Sequence, residues 1–234
     1  MSIPPERRDT RLMREMFGTI APRYDLITRL FSFGMDMGWK ELGVRTASLP
    51  DKPVILDLAC GTGDFSKITE TERPGAISIA ADITFGMVER ARHSGVQRGV
   101  CADAMRLPFA DNTFDCVFVG YGLRNFPQLA QSIAEIERVT KPGGLLVSLD
   151  FFQPDNVLFK RLYLSYLYVQ GAMWGFVLHG RPRIYTYIPD SIAAFMSMKD
   201  LTLLLKGLGY GDVRSRGFIL GGIGVHWAQK ARAA

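Results

Sequence analysis

The chain has 234 residues, of which 47% are hydrophobic and 22% charged, a composition that suits a folded protein with a sizeable core and excludes a disordered or collagen-like chain. The net charge of +5 is mild and forms no basic block, so we expect no nucleic-acid partner. The three cysteines are an odd number without metal-ligand spacing, which favours a reduced intracellular protein without disulfides or zinc, its thiols in the core.

Residues 1–50 precede the first predicted strand and are expected to form a helical extension. Apolar residues recur at helical spacing at Leu12, Met16 and Ile20, and a second run begins at Ile27. Charged residues come before any apolar run, so the sequence predicts no signal peptide and a cytoplasmic location. Because this extension and a later insertion flank the sheet, we expect them to close over a site.

Strand and helix patterns alternate from residue 53 onward, which predicts a mostly parallel sheet covered by helices. The expected parallel strands are 53–59, 76–81, 100–102, 116–119 and 145–149, and a helical stretch such as 128–139 separates two of them. Segments 211–219 and 224–230 are joined by a short glycine-rich turn, so they must pair antiparallel. We therefore predict an α/β fold with a Rossmann-like, doubly wound, seven-stranded sheet and a late antiparallel strand, all within one domain, residues 1–234. Ligands bind at the carboxyl ends of the strands in such sheets.

Residues 152–190 form a predicted helical insertion before the next helix, which we expect to begin near Asp190 or Ser191. Residues 162–178 carry no charge but are close to the minimum length for spanning a bilayer. Two readings stay open: a buried core helix, or an interfacial helix that rests on an anionic membrane or lines an apolar pocket. From residue 156 to residue 189 there is no acidic residue and four basic ones, namely Lys160, Arg161, Arg181 and Arg183.

A glycine-containing loop and an acidic residue follow the first two predicted strands. After Asp57, Gly61 and Gly63 allow a sharp turn and close approach of backbone to a ligand. A dinucleotide fingerprint would place a third glycine where Ser66 stands. Asp82 ends the second strand, where a carboxylate can accept both hydroxyls of a ribose, although a helix cap is the alternative.

The third predicted strand ends at another carboxylate. Asp103 can accept from an adenine amine, or it can simply form a turn. Met87 can cover the flat face of a base, or it can pack in the core. Asp57, Asp82 and Asp103 together predict a nucleoside site without a basic clamp for phosphates. Such a site favours a cofactor whose reactive end is cationic.

Four segments, in this order and spacing, resemble the class I S-adenosylmethionine-dependent methyltransferases: DLACGTGD, ADITFGMVERAR, DAMRLPFADNTFD and RVTKPGGLLVSLDF. More narrowly, YDLITRLFSFGMDMGWK, GYGLRNF and RVTKPGG are similar to the ubiquinone/menaquinone-biosynthesis C-methyltransferases. Tyr185, Tyr187 and Ser191 fall on that family's Y-x-Y-x-x-x-S pattern. The chain departs from the family's pattern at four positions, with Thr28 for asparagine, Asp36 for histidine, Asp150 for glutamate and Phe152 for serine.

The resemblance implies methyl transfer from S-adenosylmethionine to a ring carbon of a demethylquinol that bears a polyprenyl tail. The products are the methylated quinol and S-adenosylhomocysteine, and no metal is expected. The residues predicted to bind the cofactor, from the loop and the resemblance together, are Asp57, Gly61, Thr62, Gly63, Asp82, Ile83, Met87, Asp103, Ala104 and Gly120.

A ring carbon becomes nucleophilic when the neighbouring hydroxyl loses its proton, so the reaction needs a base or a relay water. We predict His179 as the base and Arg181 as the group that holds the phenolate. Tyr185 and Asp150 are further candidates for catalysis. The predicted substrate contacts are Tyr24, Asn125 and Tyr187, with Tyr24 part of the lid.

The resemblance also implies partners. The apolar insertion would cover the polyprenyl tail and place the protein peripherally on the inner face of the membrane, and a homodimer would be ordinary for the family. Three alternatives stay open: a methyltransferase acting on another phenolic, lipid or small-molecule acceptor, a catalytically silent binding module, and a nicotinamide oxidoreductase. Ser66 argues against the last.

Overall fold

The computed structural model describes residues 24–182 and 185–232. Its centre is one seven-stranded sheet with the spatial order β3-β2-β1-β4-β5-β7-β6. Strand β7 runs antiparallel to β5 and β6, while the other neighbouring pairs are parallel. The predicted α/β fold with a late antiparallel strand is therefore confirmed. The strands are β1 (Val54–Leu58), β2 (Ile77–Asp82), β3 (Gly99–Cys101), β4 (Phe114–Gly120), β5 (Thr140–Phe151), β6 (Tyr210–Phe218) and β7 (Ile223–Lys230).

Helices cover both faces of this sheet. The described α-helices are α1 (Tyr24–Phe31), α2 (Asp36–Thr46), α3 (Asp64–Glu72), α4 (Phe85–His93), α5 (Leu129–Val139), α6 (Val157–His179), α7 (Tyr187–Ala193) and α8 (Met198–Gly207). Helix α7 begins earlier than the predicted Asp190 or Ser191, because Pro189 lies in its first turn, where a helix needs no backbone donor.

The core has two main clusters, one on each side of the sheet. On one side, α2 and α3 pack Val44 and Phe65 against the sheet. On the other side, α5 and α8 contribute Ile133 and Leu201. Because both faces are covered, β4 is apolar at nearly every position, as expected for a central parallel strand.

Helix α6 is the predicted helical insertion, and it packs by one side only. Asn156 caps its first turn by accepting a hydrogen bond from the backbone N–H of Phe159, at 2.9 Å. Tyr163, Leu167 and Gly171 are buried on the side that faces the core. Within the described residues, no helix has both the length and the hydropathy that crossing a bilayer requires.

Helices α1 and α2 are the described part of the predicted N-terminal extension. The periodic residues Leu12, Met16 and Ile20 lie outside the described residues, as does Arg183. Helix α2 is anchored to the sheet where the indole N–H of Trp227 donates to the carbonyl of Gly43, at 3.0 Å.

The three cysteines are free thiols, but they are not all in the core as expected. Cys60 and Cys116 are buried, whereas Cys101 is exposed. The reason is the position of β3, which forms an edge of the sheet and leaves Cys101 without a strand on its outer side.

Candidate active site

The carboxyl ends of β1, β2, β3 and β4 surround a cleft of about 690 Å³ that is open to solvent. This is the edge of the sheet where the sequence predicts ligand binding. Among the described residues that line it, none is a lysine or an arginine. The predicted residues that line the cleft are Gly61, Asp82, Ile83, Met87, Asp103, Ala104, Gly120 and Asn125.

Asp82 is held rigidly at the end of β2. Its Oδ1 accepts from the backbone N–H of Thr84 at 2.9 Å, and its Oδ2 accepts from the N–H of Gly61 at 3.2 Å. Burial raises the pKa of this carboxyl above its ordinary value, against these hydrogen bonds. The residue therefore organises the start of α4 and the glycine loop, and it also lines the cleft.

Asp103 and Met87 also combine a structural role with a place in the lining of the cleft. Asp103 forms a turn, because its Oδ1 accepts from the N–H of Met105 at 2.9 Å, yet it also lines the cleft. Met87 belongs to the core, with 2% of its surface exposed, and it also lines the cleft. Asp103 can therefore both form the turn and bind a ligand, and Met87 can both pack in the core and contact a ligand.

Asp57 lies beneath the glycine loop and has no described cation bonded to it. Its Oδ2 accepts from both the N–H and the hydroxyl of Ser66, each at 3.0 Å. Burial raises the pKa of Asp57 to about 7, although the two bonds from Ser66 oppose that rise. Ser66, which stands where a dinucleotide fingerprint has glycine, thus ties α3 to the end of β1.

Two glycines of the site have no room for a side chain. Gly63 has φ of 77°, and a Cβ there would lie 2.5 Å from Cγ2 of Val96. A Cβ at Gly120 would lie 2.9 Å from Cε2 of Phe65. The backbone at Gly63 lies too close to Val96, and that at Gly120 too close to Phe65, for any residue other than glycine. Gly120 therefore presents only backbone to the cleft.

The backbone just beyond β1 and just beyond β4 has an unusual conformation. Ala59 and Tyr121, the residues just beyond these strands, have φ of 55° and 56°. Both line the cleft. Strain of this kind in non-glycine residues is concentrated at functional sites.

A second cavity, of about 310 Å³, adjoins the cleft and shares Gly61, Gly120 and Tyr121 with it. Thr62 and Asp57 line this cavity, as do Lys40 and Asp64. The second cavity is therefore lined by a basic side chain and by acidic ones, whereas the described lining of the cleft has only acidic ones.

Lys40 and its two carboxylate partners were missed by sequence reasoning. The Nζ of Lys40 lies 2.8 Å from Oδ2 of Asp64 and 3.2 Å from Oδ2 of Asp36, and its side chain is 9% exposed. Burial alone would lower the pKa of Lys40, but Asp64 and Asp36 together hold it above its ordinary value. The only signal in the sequence is the i, i+4 spacing of Asp36 and Lys40 in α2, since Asp64 is distant along the chain.

Lys67 is the fourth member of this group. Its Nζ lies 2.9 Å from Oδ1 of Asp64. Burial raises the pKa of Asp64, yet Lys40 and Lys67 outweigh it and hold that pKa below its ordinary value. A third cavity, of about 570 Å³, shares Lys40 and Asp64 with the second one and is also lined by Thr28 and Asp36.

Two of the predicted catalytic residues meet outside the cleft. Nε2 of His179, at the end of α6, lies 2.7 Å from the hydroxyl of Tyr185. Tyr185 has no exposed surface and belongs to the same core cluster as Tyr121, which lines the cleft. Arg181 is exposed just beyond α6.

Asp150, the fourth predicted catalytic residue, is fully buried. It forms an ion pair with Nη1 of Arg124 at 2.5 Å and accepts from the backbone N–H of Arg124 at 3.2 Å. Arg124 in turn donates to the carbonyl of Tyr121 and to the hydroxyl of Ser191. The pair therefore fixes the segment after β4 against α7.

The three predicted substrate contacts differ in position. Asn125 lines the cleft and donates to the carbonyl of Tyr121 at 3.1 Å. Tyr187 is partly buried at the start of α7. Tyr24 begins α1, and the position of its side chain lies outside what the structure describes.

The donor set suits S-adenosylmethionine. Asp82 and Asp103 line the cleft, and none of its described lining residues is a lysine or an arginine, which fits a nucleoside whose attached sulfur is positive rather than one that carries phosphates. The adjoining cavity offers Lys40 and acidic oxygens, as a zwitterionic amino-acid end requires. Within the described residues, no group of three or more His, Cys, Asp and Glu is arranged to hold a metal ion.

Solved structures share this fold. A SAM-dependent methyltransferase of Thermotoga maritima superposes with a TM-score of 0.68 at 19% identity, over 93% of this chain and 99% of that one. Another, from Methanosarcina mazei, gives 0.58 at 24% identity, over 79% and 95%. The architecture is that of the class I S-adenosylmethionine-dependent methyltransferases.

Sequence comparisons identify the family within that class. The family model described as the ubiE/COQ5 methyltransferase family matches residues 6–230. A ubiquinone/menaquinone biosynthesis C-methyltransferase of Desulfotalea psychrophila is 36% identical, over 93% of this chain and 90% of its own length. A demethylmenaquinone methyltransferase of Thermus thermophilus is 38% identical, over 83% and 91%. The chain belongs to the ubiE/COQ5 methyltransferase family, which confirms the resemblance seen in the sequence.

Proposed function

We propose that the protein transfers a methyl group from S-adenosylmethionine to a ring carbon of a polyprenylated demethylquinol. The observation that carries this proposal is the cleft at the strand ends, whose described lining holds Asp82 and Asp103 and no lysine or arginine. The cleft shares residues with a charged cavity, and its Tyr121 belongs to a hydrophobic core cluster. The names of the related enzymes support a quinol as the acceptor. We treat residues 1–234 as one catalytic domain with residues 1–50 as its lid.

In this proposal each part of the cofactor has its own set of residues. Asp82 accepts from the ribose hydroxyls, Asp103 accepts from the adenine amine, and Ile83, Met87 and Ala104 cover the base. At the other end, Lys40 binds the carboxylate of the methionine part. The backbone of Gly61, Thr62 and Gly120 and the carboxylates of Asp57 and Asp64 surround its amino group.

The bound cofactor supplies an already activated methyl group, so the task of the protein is to align the acceptor and to remove its proton. Asn125 orients the ring beside Tyr121. His179 remains the proposed base, acting through the hydroxyl of Tyr185, because Tyr185 is buried in the same hydrophobic core cluster as Tyr121 of the cleft.

The remaining catalytic candidate acts indirectly in this proposal. Asp150 is a positioning residue, since it holds Arg124 and through it the segment after β4 that lines the cleft. We do not place Arg181 at the phenolate, because its side chain is exposed beyond α6.

A second candidate function keeps the cofactor and changes the acceptor to another phenol, lipid or small molecule. Two of the positions at which the chain departs from the family pattern, Thr28 and Asp36, line the same cavity beside Lys40. Asp36 is buried and paired with Lys40, so a polar acceptor could use this cavity.

The test is methyl transfer with isotopically labelled S-adenosylmethionine and two short-chain acceptors, a demethylnaphthoquinol and a benzoquinol, both kept reduced. We expect a labelled methyl group on carbon of at least one of them. Cofactor binding measured by calorimetry is the control. Binding without transfer to either quinol would contradict the quinol proposal and favour the second candidate, and no binding would contradict both.

A further inference from the structure

Ser132 is a serine of α5 whose hydroxyl has no hydrogen-bond partner among the residues that the structure describes. None of its surface is exposed. Its backbone N–H is already used, because it donates to the carbonyl of Gln128 at 3.0 Å. An unpaired hydroxyl that is cut off from water costs free energy, so a buried one calls for an explanation.

Ser132 is also one of the residues that line the cleft at the strand ends. Since it is wholly buried and still borders the cleft, it belongs to the inner wall of the cleft and not to its mouth. The hydroxyl is the one polar group of its side chain, and a hydroxyl can both donate and accept. The inner wall therefore offers a hydrogen-bonding group that the described protein atoms leave unused.

The contacts of α5 place Ser132 beside the exit of β3. Gln131 donates to the carbonyl of Met105 at 3.2 Å, and Glu135 accepts from the backbone N–H of Leu107 at 2.8 Å. Ser132 and Glu135 are three residues apart, so they share one face of the helix. The first turns of α5 therefore pack on the segment that directly follows β3.

The exit of β3 is where the proposed function places the adenine, with Asp103 accepting from its exocyclic amine. The ring nitrogens that flank this amine are acceptors, so a carboxylate cannot serve them. They need a donor, and the described lining of the cleft includes no lysine or arginine. The hydroxyl of Ser132 is a donor of the right kind at this end of the cleft.

We propose that Ser132 is a cofactor-binding residue whose hydroxyl donates a hydrogen bond to a ring nitrogen beside the adenine amine. Asp103 and Ser132 then bind the same side of the base, one as the acceptor and the other as the donor. This inference rests on the proposed function for its cofactor and does not depend on the identity of the methyl acceptor. The free protein carries the cost of the unpaired hydroxyl, and binding of the cofactor removes it.

The first test compares Ser132→Ala with Ser148→Ala in the full chain. Ser148, on β5, is the matched control, because it is also wholly buried with an unpartnered hydroxyl in the described part of the chain. It is not among the described residues that line the cleft. Calorimetry with S-adenosylhomocysteine gives the dissociation constant. We expect Ser132→Ala to raise it about 3- to 10-fold, the ordinary worth of one hydrogen bond, and Ser148→Ala to leave it unchanged.

The melting temperature without ligand separates a ligand contact from a structural role. Ser132→Ala removes an unpaired buried hydroxyl, so the free variant should melt at the same temperature as the wild type or higher. A serine that stabilised the fold by a hydrogen bond would lower the melting temperature on its removal. Added S-adenosylhomocysteine should raise the melting temperature less for Ser132→Ala than for the wild type.

A double-mutant cycle between protein and ligand identifies the atom that Ser132 contacts. The ligands are S-adenosylhomocysteine and two analogues in which C–H replaces either N1 or N7 of the adenine. The analogue that lacks the partner of Ser132 should bind the wild type more weakly than the parent ligand does. It should also bind the wild type and Ser132→Ala almost equally, because the hydrogen bond is already lost.

Three results would overturn the proposal. The first is an unchanged dissociation constant for Ser132→Ala, and the second is strict additivity of Ser132→Ala with both analogues. The third is a free Ser132→Ala protein that melts at a lower temperature than the wild type, which would make the hydroxyl a part of the fold.

Failure of this inference can be told apart from failure of the proposed function. Weaker binding by Ser132→Ala without methyl transfer to any quinol would contradict only the proposed function. Quinol methylation with unchanged binding by Ser132→Ala would contradict only this inference. No binding of S-adenosylhomocysteine by the wild type would contradict both.

Discussion

Lys40 on α2 and Asp64 on α3 form a partly buried ion pair, with 2.8 Å between Nζ and Oδ2, and both residues line two adjoining cavities. The pair joins the N-terminal helices to the glycine loop. It also provides a cation beside the cleft, whose described lining residues include none.

We expect Lys40→Met to weaken both folding and cofactor binding. The substitution leaves Asp36 buried without its cation, and breaking such a pair costs about 3–5 kcal/mol. Urea unfolding measures the loss, and calorimetry with S-adenosylhomocysteine measures binding. Lys40→Met combined with Asp36→Leu should recover much of the stability and little of the binding. Full recovery of binding would show that Lys40 does not touch the ligand.

Asp82→Asn should weaken binding of S-adenosylhomocysteine about 10- to 100-fold. A hydrogen bond to a charged group is worth about 1.5–3 kcal/mol, and the ribose would lose two charged acceptors. Calorimetry gives the dissociation constant, and Asp111→Asn at an exposed loop is the matched control. An unchanged constant for Asp82→Asn would place the ribose elsewhere.

Gly120→Ala should destabilise the fold by about 1–3 kcal/mol, because the added Cβ meets Phe65 at 2.9 Å. Gly38→Ala is the control, since nothing lies within 4 Å of a Cβ there. It should be neutral or stabilising, as alanine favours a helix. In a double-mutant cycle, Phe65→Leu should relieve part of the cost of Gly120→Ala, and strict additivity would argue against this contact.

The pKa of Asp57 predicts a pH-dependent loss of stability. Its folded pKa of about 7 lies above the unfolded value of 3.8, so its contribution is complete below 3.8 and disappears as the pH rises through 7. Relative to Asp57→Asn, the wild type should lose up to about 1.4 kcal/mol per pH unit in that window. Urea unfolding at pH 5, 6 and 7 measures the trend, with Asp51→Asn as an exposed control. A difference that does not change with pH would contradict the prediction.

Breaking the pair of Arg124 and Asp150 should impair methyl transfer more than cofactor binding. Arg124→Met should cost about 3–5 kcal/mol of stability, because it leaves Asp150 buried and unpaired. Arg124→Met with Asp150→Leu should cost less. If the pair positions the segment after β4, the double variant keeps binding S-adenosylhomocysteine while its kcat falls. An unchanged kcat would make the pair purely structural.

The strands were predictable because each has a local signal. The apolar runs of the first two strands end at a glycine loop and at Asp82, and residues of these types mark the end of a strand without any knowledge of tertiary contacts. The start of β5 was not predictable in this way. The sequence predicts a strand only from residue 145, but Gly143, with φ of 78°, lies within a strand that begins at Thr140. An irregularity in the pairing with β4 accommodates it.

The cleft at the strand ends was easier to predict than the charged cavity beside it. Asp82 and Asp103 follow strands, so the topology of a parallel sheet brings them to one edge. Lys40 contacts Asp64 only because α2 packs on α3, and no pattern in the sequence predicts a contact between residues so far apart along the chain. The ion pair of Arg124 and Asp150 is hidden for the same reason.

The left-handed backbone at Ala59 and Tyr121 restricts which residues this edge of the sheet can use. An L-residue in that region costs roughly 1–2 kcal/mol, and a branched side chain costs more. Any residue that replaces Ala59 or Tyr121 must therefore adopt a positive φ, whatever its side chain could contribute to binding or catalysis. New substrate preferences should arise more readily from positions outside these two strand exits than from the exits themselves.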